Sequence, residues 1–193
     1  MEIDSLTKMA VDISVSPESH KIGLVMPIQT HSATVREICS GLESVEDCDA
    51  LVTERQGLLL GVHTRDCAPV CFSDGKKFAI AHVGWRGLCG GIIEAVMMHF
   101  DSQKTEVFIG PHLHTFEIQK DFCHEAITEK FGDSFLTPVR DRYMFQFKDA
   151  IASCVPKTAL FDSRNTAEDI SLPSYRHKRL FGHIITSVRF TTV

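Results

Sequence analysis

Long apolar runs are missing from this sequence. No segment approaches the roughly 20 consecutive apolar residues that cross a bilayer as a helix, which predicts a chain without a membrane partner. An excess of positive charge is missing too: 20 Lys and Arg stand against 25 Asp and Glu, a formal charge of −5. Nucleic-acid binders usually show a basic face, so no nucleic-acid partner is expected. The one basic cluster, Arg176-His177-Lys178-Arg179, reads as solvated surface. The seven cysteines contain no C-x-x-C pair, and their odd number and scatter imply no disulfide framework. Met1 to Ser16 lacks the basic start and apolar centre of a secretion signal. Together these absences predict a cytoplasmic chain with reduced thiols. Repeats, low-complexity tracts and linkers are absent as well. With 44% hydrophobic content over 193 residues, one domain covering 1–193 is expected.

What is present reads as strands first and helices later. Lys21 to Met26, Ala33 to Ile38, Ala50 to Thr53, Gly57 to Thr64 and Ala68 to Phe72 are apolar or β-branched runs, and together they should form most of one sheet. Ser73-Asp74-Gly75 supplies hairpin-turn chemistry before a further strand, Phe78 to Val83. After the glycines at 87, 90 and 91, Ile92, Ile93, Val96, Met97 and Phe100 mark one helix face. Glu106 to Ile109 returns to strand. Further helices are expected around Phe122 to Phe131 and over Lys148 to Cys154, before Pro156. The tail, His183 to Val193, alternates and is rich in Ile, Thr and Val, so it should close a sheet. Strands and helices mix without regular βαβ alternation, which predicts an α+β fold.

Two segments carry chemistry. In His63-Thr64-Arg65-Asp66-Cys67-Ala68-Pro69-Val70 a charged pair and a cysteine interrupt a buried-looking strand. Such charges are costly there unless they pair or face a cavity. In Ala81-His82-Val83-Gly84-Trp85-Arg86-Gly87 a strand of small residues ends in glycines flanking Trp and Arg, a place where backbone and guanidinium can meet an anion. Both segments also fit an ordinary core. A strand histidine is commonly just hydrogen-bonded, a strand cysteine inert, and a glycine pair a turn. His31, Cys67 and His82 lie 36 and then 15 residues apart, which matches no compact zinc signature.

A run of blocks goes further. Gln29-Thr30-His31-Ser32-Ala33-Thr34-Val35, Cys48-Asp49-Ala50-Leu51-Val52-Thr53, Arg65-Asp66-Cys67-Ala68-Pro69-Val70 and His82-Val83-Gly84-Trp85-Arg86-Gly87 occur in that order. Ile109-Gly110-Pro111, Phe116-Glu117-Ile118, Ser174-Tyr175-Arg176 and Gly182 follow. Over roughly residues 22–190 the chain resembles the YfiH-like family, also called the laccase-domain or multicopper polyphenol oxidoreductase family, with residues 1–20 matching poorly. The resemblance implies layered mixed β-sheets flanked by helices, in an α/β/β/α-like arrangement. It implies His31, Cys67 and His82 as metal ligands, holding zinc or alternatively copper. It implies a purine nucleoside enzyme that phosphorolyses adenosine- and inosine-type nucleosides and deaminates adenosine. The small-molecule partners are then a nucleoside and phosphate. Gln29, Arg86 and Glu117 would bind substrate. Arg86 would hold phosphate in the metal cleft, and Asp66 or Glu117 would move protons.

The chain departs from the family pattern at four places, one of them a Gly110-Pro111 block that is shorter before Phe116-Glu117. The acidic and Asn-Arg element that members carry near the N-terminus has no counterpart, so substrate contacts should be fewer, unless a homo-oligomer supplies them. Arg65 replaces a residue that is usually small, and His183 stands where arginine is common. Other readings of the same residues are a laccase-like copper oxidoreductase, a metal-free cysteine hydrolase or deamidase using Cys67, and a binding module whose metal only closes the fold.

Overall fold

The Ser73-Asp74-Gly75 turn joins the two inner strands of the largest sheet. The computed structural model describes residues 9–18 and 23–190. In chain order its first strands are β1 (Met9–Ser16), β2 (Val35–Glu37), β3 (Ala50–Thr53), β4 (Leu60–Thr64), β5 (Ala68–Ser73) and β6 (Phe78–Val83). Helices α1 (Trp85–Cys89) and α2 (Ile92–Met97), strands β7 (Glu106–Ile109) and β8 (Phe116–Ile118), and helix α3 (Phe122–Phe131) come next. The chain continues through β9 (Leu136–Val139), β10 (Arg142–Phe145), α4 (Phe147–Cys154), β11 (Leu160–Phe161) and β12 (His183–Phe190).

β5 and β6 form an antiparallel hairpin in which Asp74 Oδ1 accepts from the backbone N–H of Lys76 and Lys77, and Gly75 takes φ 82°. They are the inner strands of a six-stranded mixed sheet, ordered β11-β7-β5-β6-β3-β2. All six residues of each are buried, which is why their sequences read as near-continuous apolar runs. Alternation sorts their side chains into two cores. Val70, Phe72, Ala79 and Ala81 face one way, against buried residues of all four helices. Cys71, Phe78 and Ile80 face the other way, against Leu60, Val62, Met9, Val11 and Val188 of a three-stranded sheet ordered β1-β12-β4. A third small sheet, β8-β10-β9, completes an α+β fold of layered mixed sheets with flanking helices. Burying Phe72 and Phe78 contributes about 2–3 kcal/mol each.

Two strand expectations change. Gly57 to Thr64 shortens to β4 and leaves its sequence neighbours, because Leu60 and Val62 pack across the second core while their backbone pairs with β12. The tail does not close a sheet: β12 is the middle strand, paired with β1 from Met9↔Phe190 to Ser16↔His183 and with β4 on its other side. Part of the expected Lys21–Met26 strand, and the last three residues of the tail, lie outside the described residues; of the rest of that strand, Val25 makes an isolated bridge to Leu60. The helices follow their periodicities. Asp121 caps α3 by accepting from Cys123 N–H at 2.9 Å, and Gly132 ends it at φ 64°. Phe147, Ala150 and Ile151 are the buried face of α4. α2 stops at Met97, yet Phe100 still stacks on Phe72, ring centres 6.1 Å apart. No helix among the described residues is long and apolar enough to cross a membrane.

One buried side chain makes stability depend on pH. His112 is fully buried beside Phe147 and Phe161. Its Nδ1–H donates to Gly110 O at 2.8 Å, while Nε2 has no partner among the described residues. Burial pushes its pKa down to about 4. The unfolded chain, with an ordinary histidine near 6.5, therefore binds the proton first. Stability is complete above pH 6.5 and is lost as the pH falls toward 4, by roughly 3 kcal/mol. Acid titration of the denaturation midpoint should show this limb, and His112→Gln should flatten it. An unchanged limb in that variant would assign the acid sensitivity elsewhere.

Candidate metal centre

A buried carboxylate that the sequence reading left without a role organises the centre. Asp49, fully buried just before β3, accepts from the backbone N–H of His31 on Oδ1 at 3.0 Å, and from those of Thr30 and Ser32 on Oδ2 at 3.1 and 2.6 Å. Ser32 Oγ donates to the same Oδ2 at 2.8 Å. This net holds the 30–32 loop so tightly that His31 sits at φ 61°, a conformation uncommon outside glycine. Oδ1 also accepts from Nδ1 of His82 at 2.7 Å. That bond fixes the tautomer and leaves His82 Nε2 as the free donor atom. One carboxylate thus aims both imidazoles.

The thiol arrives from the entry to β5, the neighbour of β6 on the side away from β3. Cys67 follows Asp66, whose φ of 80° bends the chain into β5. Asp66 keeps that bend through Thr166 Oγ1 and Ser174 Oγ on Oδ1, at 2.7 and 2.6 Å, and the Arg176 N–H on Oδ2 at 2.8 Å. His82 shares the face of Phe78 and Ile80, so it points toward the interval between the two sheets. Cys67 Sγ lies 3.9 Å from His31 Nε2, and one donor atom from each of His31, Cys67 and His82 falls within 4.8 Å of the other two. Tetrahedral zinc with these ligands needs donor separations of roughly 3.3–3.6 Å, so small side-chain rotations suffice. The donors run from exposed His31 through half-buried Cys67 to buried His82, which leaves one side of the set open.

The electrostatics suit a cation. Burial would raise the Cys67 thiol, but the charge of His82 and hydrogen bonds from His31 and His82 outweigh it and bring the pKa down to about 6. Burial would lower His82; the Cys67 and Asp49 charges raise it instead. Burial likewise opposes ionisation of Asp49, and the hydrogen bonds from His82 and Ser32 hold it well below the usual carboxylate range. Cys48, Cys71, Cys89, Cys123 and Cys154 all move the other way, pushed up by burial. Only Cys67 of these is set up as a thiolate.

Gly84 is required beside the donors. A Cβ there would stand 2.9 Å from His31 Cδ2 and 3.1 Å from Cys67 Sγ. Gly84→Ala should therefore displace His31 and weaken metal binding by roughly 10- to 100-fold, the range for disturbed ligand orientation. Competition with a chromogenic chelator measures it, and wild-type affinity in this variant would remove these donors from the metal.

Above the donors opens a cleft of about 340 Å³, walled by Trp85, Phe116, Phe147 and Tyr175 and by the cations Arg65 and Arg176. Gln29 and Asp66 line it as expected. Gln29, however, spends its amide on the backbone of His63, donating to the carbonyl at 2.9 Å and accepting from the N–H at 3.0 Å. Asp66 accepts the three bonds already described, which hold the bend before Cys67. Two expectations fail on placement. Arg86 does not enter the cleft: Trp85 takes that side of α1, and the Arg86 guanidinium lies 4.5 Å from the Trp85 ring and 5.5 Å from Phe122, above a separate surface hollow. Glu117 is also outside. It alternates with buried Phe116 and Ile118 on β8, so it faces solvent and pairs with Arg142 at 3.3 Å. Two of the departures from the family pattern meet each other: Arg65 Nη2 lies 2.8 Å from His183 Nε2. Asp49 itself stands in the Cys48-Asp49-Ala50 block, an acidic residue opening an apolar strand, and that conflict was its available signal.

Fold and donor set together define an α+β protein with one open, three-ligand candidate metal centre among its described residues. The chain belongs to the family described as multi-copper polyphenol oxidoreductase laccase, which matches residues 7–190. A protein named adenosine deaminase, from an unknown prokaryotic organism, is 36% identical over 106 residues, 49% of this chain and 39% of that one. A purine nucleoside phosphorylase of Staphylococcus saprophyticus is 32% identical over 170 residues, 77% of this chain and 65% of its own length. The chain thus spans less than two thirds of either relative. The crystal structure of the YfiH protein of Bacillus licheniformis shares the fold, with a TM-score of 0.78 at 21% identity, covering 88% of this chain and 74% of that one.

Proposed function

We propose that this chain is a zinc-dependent purine nucleoside enzyme that cleaves adenosine- and inosine-type nucleosides with phosphate and deaminates adenosine. The carrying observation is the open His31–Cys67–His82 set at the base of a cleft sized for a small molecule and walled by aromatic rings. The names of the two relatives support the substrate class. Two imidazoles and a thiolate on zinc leave a position for water or substrate, and such a centre supplies Lewis acidity and an acidified water.

The chain's own residues do the rest. Trp85, Phe116 and Tyr175 offer flat apolar surfaces on which a purine can lie. Arg176 stacks on Phe116, its guanidinium 4.0 Å from the ring centre, and donates to Glu117 O. In phosphorolysis a phosphate oxygen bonds to C1′ as the C1′–N9 bond breaks, and the electron pair leaves with the base, which takes a proton. In deamination water adds at C6 and ammonia leaves. His183 accepts from the Arg65 guanidinium on Nε2, so it is a neutral Nδ1–H tautomer, and burial and the Arg65 charge keep its pKa low.

The test is nucleoside turnover by metal-quantified protein with and without phosphate. Base plus sugar phosphate shows phosphorolysis, and inosine from adenosine without phosphate shows deamination. Folded, metal-loaded protein that does neither would end this reading. One observation favours a second reading: Cys67, His82 and Asp49 also form the thiolate–imidazole–carboxylate line of a cysteine hydrolase. That enzyme would keep its activity in strong chelator. Multicopper oxidation is less suited, since the described residues gather a single His/Cys group and several copper centres need several.

A further inference from the structure

The cleft holds a cation that the reactions above have not used. Arg65 lies on its wall, two residues before Cys67, and is half-buried. Its Nε donates to Gly182 O at 2.6 Å and its Nη2 to His183 Nε2 at 2.8 Å. Both acceptors are neutral: one is a carbonyl, the other an imidazole nitrogen that must be unprotonated to accept from a group with no lone pair. None of the ion pairs among the described residues includes Arg65. Asp66, its sequence neighbour, has its oxygens engaged by Thr166, Ser174 and the Arg176 N–H. The guanidinium plane is therefore fixed while its charge stays uncompensated, and Nη1 and the second N–H of Nη2 remain to donate. A rigid, uncompensated fork on the wall of a cleft suits a tetrahedral oxyanion.

We infer that Arg65, clamped by Gly182 and His183, is the anchor for inorganic phosphate in this cleft. The inference rests on the nucleoside reading and gives its second substrate a place, the role expected of Arg86. Arg176 is a weaker candidate, being exposed and stacked on Phe116. The same reasoning makes His183 a positioning residue, because it sets the guanidinium plane without needing to touch the anion.

The experiment is calorimetric titration of the metal-loaded full chain with inorganic phosphate, without nucleoside, followed by steady-state kinetics. Arg65→Gln should weaken phosphate binding at least tenfold and raise the phosphate KM equally, with the nucleoside KM changed less than threefold. Arg65→Lys should fall between, and Arg86→Gln should stay within twofold of wild type. If Arg65→Gln folds poorly, the double variant Arg65→Ala/His183→Arg restores a guanidinium to the same corner and should recover binding over Arg65→Ala alone. Folded Arg65→Gln with wild-type phosphate affinity overturns the inference, as does a wild type that binds no phosphate. The nucleoside reading fails separately: phosphate bound through Arg65 but no nucleoside turned over would leave this anchor standing and end that reading.

Discussion

Cys67→Ala is expected to strip the centre of its metal and to lower nucleoside turnover by roughly 10³-fold or more. Cys67 is the one cysteine whose surroundings favour the thiolate, at about 6 against values near 11 for Cys48 and Cys89. Its loss leaves two imidazoles, one of them exposed, with no anionic donor between them. The fold should survive, because Cys67 is only half-buried and its backbone bend is held by Asp66. Metal analysis of purified protein decides the matter, with Cys89→Ala as a control that keeps its metal. A Cys67→Ala protein holding one metal per chain would remove the thiolate from the centre. One that loses metal but keeps activity would separate the chemistry from the metal.

Asp49→Ala should be the most damaging single change in stability. It removes a fully buried acceptor from the N–H groups of Thr30, His31 and Ser32, the Ser32 hydroxyl and His82 Nδ1. Donors left without partners, together with a buried imidazole that has lost its counter-charge, cost about 3–5 kcal/mol. Asp49→Asn keeps the volume but has a single acceptor oxygen, and its amide meets donors on the other side; it should fold and bind metal roughly 10- to 100-fold more weakly. Denaturant midpoints and chelator competition read the two effects. The pH dependence has a definite sign. The folded pKa of Asp49 is depressed, so its stabilisation is complete above the ordinary carboxylate value and is lost only as pH falls below that range toward the folded value. The His112 limb, between 6.5 and about 4, therefore comes first on acidification. Asp49→Asn with unchanged stability and metal affinity would show that the loop and His82 are held by other contacts.

Much of the fold was legible because its inner strands are short and strongly patterned. Ala50–Thr53, Phe78–Val83 and Glu106–Ile109 appear with the boundaries the sequence suggests, and α3 and α4 follow their apolar periodicity. What could not be read was which strand pairs with which. β4 is adjacent in sequence to β5 but belongs to the other sheet, a choice made by β12 more than 100 residues later. Strands β1, β8, β9, β10 and β11 are short, exposed on one side or set by tertiary pairing, and local pattern does not mark them. The donor set was legible through its family blocks. The direction of side chains was not: Arg86 follows Trp85 by one helical residue, a rotation of about 100°, and that step takes it from the cleft to the outer surface. Glu117 was lost to the alternation of β8. Arg65 and His183 each look like an isolated oddity in sequence, and only their contact across 118 positions gives them a joint meaning.

The placement of β12 also governs when the cleft can be completed during synthesis. β1 and β4 are both made long before β12, yet each finds its ladder partner only in it. Until the ribosome has released residues 183–190, the apolar faces of β4, β5 and β6 that meet Val188 are incompletely covered, and the nascent chain is open to chaperones and to aggregation. The same late strand brings His183 to Arg65, so that side of the cleft wall forms late. A chain stalled before residue 183 can carry the His31, Cys67 and His82 donors and still lack the clamp on Arg65.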